Sequence, residues 1–345
     1  MFEPTIKDIA QICGVGVSTV SRAINNHPDI NSETKEKIMS AIREYGYVPN
    51  DSARNLKRVD AKAIAVLVKG IANPFFTSMI TVIEQECKKR HYSMELSHIE
   101  ADEDEVDVAQ KVVKEKRLRG IIFLGGLFSH SEEKLKKLTV PFVFSTAGSI
   151  PENISRKQYS SISVDDRRES AKMVDYLIRS GHTKIAILVA EAQDESVGRL
   201  RLDGYCDALR AHGIEMNPRL ICQTRDELSH FSMENGYLST KKLLECGEAF
   251  TALYAVADAL AIGALRALYE AGLRVPKDIS LAGYDGIDMA CYTVPSLTTI
   301  RQPVEEMAKD TTRLLFDIIA QKTKHQHITY EAELLIREST AKIPD

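Results

Sequence analysis

TIKDIAQICGVGVSTVSRAINN, residues 5–26, decides the fold of the amino-terminal part of the chain. Thr5 stands where a helix cap is expected, and apolar residues follow it at helical spacing. Gly14 interrupts this pattern at a position suited to a left-handed turn. A second helical pattern begins at Val17, with apolar side chains on one face and hydroxyls on the other. The stretch therefore predicts two short helices joined by a glycine turn.

A third helix is predicted from the run SETKEKIMSAIREYGY, which opens with Ser32 and Glu33 and has Gly46 at its end. Three short helices in this order predict a helix-turn-helix unit. The second helix offers what such a unit needs in the major groove, short hydroxyls and one forked donor for guanine. These residues are Ser18, Thr19, Ser21 and Arg22. A hydroxyl cluster alone is more often a cap or neutral surface, so the order of the elements carries the prediction.

Net charge does not decide whether the chain binds DNA. Lys and Arg number 45 against 49 Asp and Glu, which gives a net charge of −4, and residues 1–60 are neutral overall. The cations Arg54, Lys57 and Arg58 cluster at the end of that segment. Phosphate contact depends on which face carries the cations, so their placement matters more than bulk charge.

Length and composition predict a globular protein of two or three domains. The chain has 345 residues, of which 44% are hydrophobic and 27% charged. No run of 18 apolar residues occurs and the first residues lack the layout of a secretion signal, so a cytoplasmic location is expected. The six cysteines are scattered without a CxxC pair, which favours reduced thiols over disulfides or a zinc site.

An enzyme is the main alternative from another class, and the sequence argues against it. Phosphate-binding glycine loops, a GxSxG elbow and an HExxH motif are all missing. No catalytic residue, cofactor or metal site is therefore predicted. We interpret His325 and His327 as solvated side chains of a polar connector, and the acidic run at 100–107 as the start of a helix.

The first sixty residues closely resemble the headpiece of the lactose-repressor/galactose-repressor family. The resemblance rests on the opening stretch together with INSETKEKI, YGYVPN and SARNLKR, in family order and without a gap. It implies that Val17, Ser18 and Arg22 read bases, with Val17 offering apolar contact to a thymine methyl. The backbone phosphate contacts that it implies are those of Thr5, Thr19, Ser21 and Asn25. Gly16 stands where the family usually has serine, so one phosphate contact is expected to be missing.

The same resemblance implies a hinge helix at residues 50–60. In the family this helix folds on operator DNA, pairs with its twin across a dimer and inserts a leucine into the minor groove. Leu56 stands at the leucine position and Ala53 at the contact between paired helices, and Asn50 and Lys57 are included in the DNA-binding set. From the residues alone, a solvated linker with a stray leucine is the favoured interpretation.

Beyond residue 61 the pattern changes to alternating strands and helices. Strands are predicted at 63–68, 93–99, 120–125, 141–146, 184–190, 252–257 and 279–285, with helices at 76–91, 103–117, 167–180, 198–212 and 258–271. The strands are too apolar for burial on one face only, which predicts parallel sheets covered on both faces. Their number predicts two Rossmann-like subdomains with a ligand crevice at the strand ends.

This region also resembles the periplasmic-binding-protein-like effector domain of the same family. The resemblance rests on VDDRRES, RSGHTKIAIL, GRLRLDGYCDAL, VPKDISLAGYDGI and PSLTTIRQP, among others. It implies three chain crossings, near 160–165, 290–295 and 321–328. The predicted domains are a headpiece at 1–49, a hinge at 50–60 and an effector domain at 61–345. Within the effector domain, the predicted amino-terminal subdomain is 61–162 plus 293–323, and the carboxy-terminal one is 163–292 plus 324–345.

Effector-binding residues follow from this resemblance. Phe75 and Phe76 are expected to stack on a sugar ring or base, although they suit plain packing at a helix start as well. Arg201 matches an arginine that commonly binds effector hydroxyls or carboxylates, and Asp285 matches an aspartate that commonly binds sugar or ribose hydroxyls. Asp165 lies at a crossing and is included in the effector-binding set, although an aspartate at a strand end is otherwise often a helix cap.

Two positions depart from the family pattern in this domain. Thr146 replaces an Asp or Asn, and Ala257 replaces an Asn. Two hydroxyl-binding side chains are thereby reduced or lost, so we hypothesise that the effector is not an ordinary hexose.

Together these observations predict a homodimeric regulator, most often a repressor in this family, that binds pseudo-palindromic operator DNA. A sugar, sugar derivative or nucleoside-type metabolite is expected to bind between the subdomains and to change the angle between them. One alternative is a core that responds to a protein partner or a co-repressor. The other is a ligand-binding protein or enzyme with a vestigial headpiece.

Overall fold

The structure is a computed structural model that describes residues 4–24, 27, 29–47, 62–100, 102–126, 131–147, 154–189 and 197–343. It divides into one unit up to Ala61 and a second from Lys62 onward. The predicted hinge at 50–60 and the predicted DNA contact of Asn25 lie outside the described residues.

The described residues of the first unit form three helices around a small apolar core. They are α1 (Ile6–Cys13), α2 (Val17–Ile24) and α3 (Ser32–Glu44). Thr5 caps α1 by accepting the backbone N–H of Asp8, and the Asp8 side chain accepts the backbone N–H of Thr5 in return. Gly14 ends α1 with φ of 65°, the left-handed conformation that its sequence position predicts. Ile9, Val20 and Ile38 fill the centre.

The second unit contains two six-stranded sheets. The strands are β1 (Ala63–Lys69), β2 (Ser93–Ile99), β3 (Gly120–Leu124), β4 (Phe142–Ser145), β5 (Ser160–Val164), β6 (Ile185–Val189), β7 (Ile221–Gln223), β8 (Ala252–Ala255), β9 (Ser280–Asp285), β10 (Thr298–Arg301), β11 (His327–Tyr330) and β12 (Glu333–Leu335). The first sheet has the order β11-β5-β4-β3-β1-β2 and the second β12-β10-β9-β8-β6-β7. Every described pairing is parallel except that of β12 with β10. Each sheet defines one subdomain.

Helices cover the sheets, as the apolar strands require. They are α4 (Pro74–Lys89), α5 (Glu105–Lys116), α6 (Glu132–Leu135), α7 (Asp166–Arg179), α8 (Val197–Ala211), α9 (Met233–Glu245), α10 (Asp258–Glu270) and α11 (Val304–Ile319). No described helix is both long enough and apolar enough to span a membrane.

The chain crosses between the two sheets three times. The crossings lie between β5 and α7, between β10 and α11, and between β11 and β12, because α11 packs on α4 and the first sheet. The first crossing agrees with its predicted place near 160–165. The predictions near 290–295 and 321–328 are wrong, as are the subdomain boundaries drawn from them, since β10 belongs to the second sheet and β11 to the first.

Buried polar side chains explain why β10 was not among the predicted strands. Thr298 and Thr299 of β10 are fully buried, although threonine carries a polar hydroxyl. The Thr298 hydroxyl lies 2.9 Å from that of Thr340, and the Thr299 hydroxyl donates to Asp258 at 2.6 Å. A hydroxyl with a hydrogen-bond partner is tolerated in a core, so hydropathy alone missed this strand.

Candidate functional site

A cavity of about 540 Å³ lies between the two subdomains, where the carboxyl ends of the parallel strands face each other. This is the position at which open α/β sheets bind ligands. The wall from the first subdomain includes Lys69, Asn73, Phe75, Phe76, His98, Glu100 and Thr146, and the wall from the second includes Asp166, Arg201, Asp226, His230, Phe231 and Asp285. We call this space the cleft cavity.

A buried ion cluster forms the floor of the cleft cavity. Arg201 on α8 donates from Nε to Asp166 at 2.8 Å, and its Nη1 donates to the carbonyl of Val256 at 2.6 Å and lies 3.3 Å from the carboxylate of Asp285. Its guanidinium also stacks on the ring of Tyr284, 3.6 Å from the centroid. Burial alone would lower the pKa of Arg201, but Asp166 and Asp285 outweigh it and raise that pKa, so Arg201 stays charged.

Asp285 links the two subdomains directly. Besides Arg201 it accepts hydrogen bonds from the side-chain amides of Asn73, at 3.1 Å, and Gln302, at 2.9 Å. Asn73 belongs to the first subdomain, where its own Oδ1 accepts the backbone N–H of Phe75 and caps α4. Asp285 has φ of 111°, a strained conformation for a residue other than glycine. Such strain is found at functional sites, where the surrounding contacts enforce it.

Five of the residues predicted to bind the effector line the cleft cavity. They are Phe75, Phe76, Thr146, Arg201 and Asp285. Asp165 does not: it is exposed and caps α7 by accepting the backbone N–H of Arg168, while the next residue, Asp166, lines the cavity. Ala257 does not line the cavity either, because it is fully buried before α10.

Sequence reasoning missed one wall of the cleft cavity, the loop at 225–231. The buried Asn235 holds this loop: its Oδ1 accepts the backbone N–H of Arg225, and its Nδ2 donates to the carbonyls of Arg225 and Ser229. The loop brings His230 and Phe231 to the cavity. A single asparagine at the start of a helix carries no pattern that would have revealed this.

A second buried carboxylate, Asp258, stabilises the turn that follows Asp285. It accepts the backbone N–H groups of Gly286 and Ile287, at 2.7 and 2.9 Å, and the hydroxyl of Thr299. Burial, with the nearby Asp285 as the second cause, raises the pKa of Asp258 to about 8.

The helix α2 presents the predicted base-reading residues to solvent. Val17, Ser18 and Arg22 are exposed, whereas Val20 and Ala23 on the opposite face are buried in the headpiece core. Thr19 and Ser21 are partly exposed, and Thr5 caps α1. A helix with these side chains on one exposed face has the form that major-groove recognition requires.

Two histidines differ from their predicted setting. His325 and His327 are half-buried rather than solvated, and their Nδ1 atoms lie 3.1 and 2.8 Å from the hydroxyls of Ser160 and Ser161. They therefore help to join β11 to β5. Within the described residues, no group of three or more His, Cys, Asp or Glu side chains could hold a metal ion.

Comparison with known proteins establishes the family. The model for bacterial regulatory proteins of the lacI family matches residues 5–50, and that for a periplasmic binding protein-like domain matches residues 174–340. The HTH-type transcriptional regulator MalR of Clostridium butyricum is 39% identical over 340 residues, covering 98% of this chain and 99% of that protein. The chain belongs to the lacI family of bacterial regulatory proteins.

Solved structures of this family agree over nearly the whole chain. A transcriptional regulator CelR–cellobiose complex has a TM-score of 0.71 at 28% identity, covering 98% of this chain and 100% of that one. A lac repressor dimer bound to operator and the anti-inducer ONPF has a TM-score of 0.74 at 26% identity, covering 99% and 100%. The predicted family and fold class are thereby confirmed, and this lacI-family protein is a DNA-binding transcription regulator.

We predict that Asp258→Asn weakens the pH dependence of stability in this regulator. The pKa of Asp258 is about 8 in the folded state against an ordinary value of 3.8. Between these values the folded state holds a proton that the unfolded state has released, so the free energy of unfolding falls as pH rises. Between about pH 6 and pH 8.5, the free energy of unfolding should fall by about 2 kcal/mol more for the native protein than for the variant.

Urea unfolding at both pH values measures this difference. The exposed carboxylate of Asp102 supplies the control, because Asp102→Asn removes a charge without touching the core. Equal pH slopes for the native protein and Asp258→Asn would show that Asp258 is ionised throughout.

Proposed function

We propose that this regulator binds operator DNA as a homodimer and represses transcription under the control of a small molecule in the cleft cavity. The hydrogen bond between Asn73 and Asp285 carries the proposal, because it joins the two subdomains at the cavity wall. A ligand that competes for either side chain changes the free energy of subdomain closure. Ligand binding in the cleft and DNA binding by the headpiece would then both depend on the same two-state change of the subdomains.

On the DNA side, we propose roles for individual residues from the family resemblance. The exposed Val17, Ser18 and Arg22 of α2 support base contacts. The proposed phosphate contacts are those of Thr5, Thr19, Ser21 and Asn25, and the proposed hinge contacts are those of Asn50, Ala53, Leu56 and Lys57. Operator DNA implies action in the cytoplasm at the nucleoid, and no catalytic role is proposed.

We predict that Arg22→Ala weakens operator binding. One bidentate contact to guanine contributes about 1–3 kcal/mol and a homodimer makes two, so the operator Kd should rise at least about thirtyfold. Arg43→Ala is the matched control, since Arg43 is an exposed arginine at the far end of α3, where it bonds to Ser40. Fluorescence anisotropy with labelled operator DNA measures both. An unchanged Kd for Arg22→Ala would remove Arg22 from base recognition.

An exposed apolar patch on the second subdomain supports the homodimer. Tyr292 and Val294 are 84% and 91% exposed, and Met289 is exposed in the same segment of the chain. Ile336 is also exposed, and it lies two residues before Glu338, whose carboxylate accepts the backbone N–H of Ser296. Exposed apolar patches of this kind mark association surfaces. The lac repressor of the solved complex is itself a dimer. We propose that this patch meets its copy across a twofold axis.

We predict that Tyr292→Asp converts the dimer to monomer. A carboxylate placed in an apolar interface is buried without a partner, which disfavours association. Sedimentation equilibrium should show a monomer, and operator affinity should fall at least about tenfold because each half-site is then bound separately. Met216→Asp, a change at another exposed apolar residue of the same subdomain, should remain dimeric. A dimeric Tyr292→Asp protein would place the interface elsewhere.

A further inference from the structure

The strands of the first sheet are all parallel, so their amino ends share one edge. Short segments lead into the strands at this edge, and together they contain ten Lys or Arg residues and no Asp or Glu. Neighbouring strands lie about 4.8 Å apart, so the six strands span a row of about 24 Å. We call these segments the basic edge; they are Lys62 and residues 90–92, 117–119, 136–141, 154–159 and 320–326.

Many cations of the basic edge are available to an anion from outside the protein. Arg90 is paired with Glu86, and Lys136 is paired with Glu132. The cations that are exposed and have no carboxylate partner among the described residues include Lys62, Arg117, Arg156, Lys157, Lys322 and Lys324. The neighbouring residues 148–153, which lie outside the described part of the chain, add one acid and no cation to this balance. The basic edge therefore keeps a strong positive charge.

The fold alone does not explain this charge. Cations are favoured at the carboxyl ends of helices, which precede strands in an α/β unit, because they complement the helix dipole. The second sheet has the same architecture, and its matching segments are residues 180–184, 212–220, 246–251, 271–279 and 292–297. These segments contain four Lys or Arg and three Asp or Glu, so that edge is nearly neutral. The excess of cations is therefore specific to the first subdomain.

The opposite edge of the first sheet carries the opposite charge. Residues 100–104, which follow β2, contain four acids and no Lys or Arg. Positive charge is thus gathered at one edge of this subdomain and is not spread over its surface.

The DNA-binding part of the chain is joined to the effector domain within the basic edge. Lys62 leads directly into β1. It follows Leu56, a proposed hinge contact, by six residues, and a chain of six residues extends over at most about 20 Å. When Leu56 is on the DNA, Lys62 therefore lies within about 20 Å of the duplex.

The charge of the headpiece leaves a role for cations elsewhere. Residues 1–60 are neutral overall, and the whole chain has a net charge of −4. Sequence-independent attraction to DNA comes from cations placed beside phosphates. Duplex DNA carries one phosphate per about 1.7 Å of its axis, so a row of about 24 Å matches about fourteen phosphates.

We propose that the basic edge binds phosphate groups of duplex DNA beside the hinge, so that the effector domain adds sequence-independent affinity to the contacts of the headpiece. This rests on the proposed function, because the headpiece and hinge must hold the chain on its operator. Charge complementarity selects DNA as the partner, since DNA is the polyanion that the attached headpiece binds. Phosphate contacts carry no base information, so the basic edge should strengthen binding to any duplex by the same factor.

A triple variant of the full chain tests the proposal. Arg117→Gln, Arg156→Gln and Lys157→Gln together remove three exposed charges per protomer from the basic edge. Fluorescence anisotropy measures the Kd for two duplexes of equal length, an operator that the native protein selects from a random-sequence pool and a scrambled version of it. At about 0.1 M salt, we expect both Kd values to rise at least about tenfold.

The salt dependence gives a second measurement of the same contacts. Each lost phosphate contact lowers the slope of log K against log salt by about 0.9, and a dimer loses at least one contact per protomer. The slope should therefore become shallower by about two or more.

The matched control removes three charges from the second subdomain. Lys184→Gln, Lys277→Gln and Lys342→Gln act on exposed lysines that have no carboxylate partner in the described part of the chain. This protein should keep the Kd values and the salt slope of the native protein. Equal urea midpoints for all three proteins show that folding is not affected.

Two results would overturn the proposal. One is an unchanged Kd and salt slope for the basic-edge variant, which is also the result expected if the partner of this edge is an anion other than DNA. The other is an equal loss in the control, which would reflect net charge alone. The proposed function fails separately, if the native protein binds the selected and scrambled duplexes equally. In that case the salt slope on the scrambled duplex still tests the basic edge.

Discussion

The ion cluster of Arg201 with Asp166 and Asp285 is the interaction on which the effector domain depends. One guanidinium pairs with two buried carboxylates that come from different elements, α7 and β9. Loss of the cation would leave uncompensated buried charge, at a cost of about 3–5 kcal/mol. The cluster therefore holds three elements of the second subdomain together beside the cavity in which the ligand is expected to bind. Through Asn73, Asp285 extends the same network to the first subdomain.

Under the proposed function, the cleft has two states that a ligand distinguishes. Because packed sheets do not deform continuously, we expect a ligand in the cleft to move whole subdomains about the three crossings. Asp258 and Asn235 hold the backbone that follows Asp285 and the loop at 225–231. The contact between Asn73 and Asp285 joins the two subdomains, so we expect such a movement to break or form it.

Local signals in the sequence predicted the headpiece and the apolar strands well. A cap such as Thr5 or a left-handed glycine such as Gly14 acts on its immediate neighbours, so its effect can be inferred from adjacent residues. The strand β10 was missed because its buried threonines find partners far along the chain.

The cleft was predictable in position but not in detail. Asp165 was included in the effector set for its position at a crossing, yet it caps a helix, whereas its neighbour Asp166 meets Arg201, a distinction that depends on side-chain direction. The contact of Asn73 with Asp285 joins residues 212 positions apart, so no local pattern reports it.

Thermodynamic linkage between the cleft and the headpiece shows whether the two sites are coupled. Operator affinity is measured with and without saturating ligand, and ligand affinity is measured with and without saturating operator. We expect the two ratios to be equal and to differ from one by about five- to 150-fold. A ratio of one, with both ligand and operator bound, would contradict this expectation, because the two sites would then not be coupled.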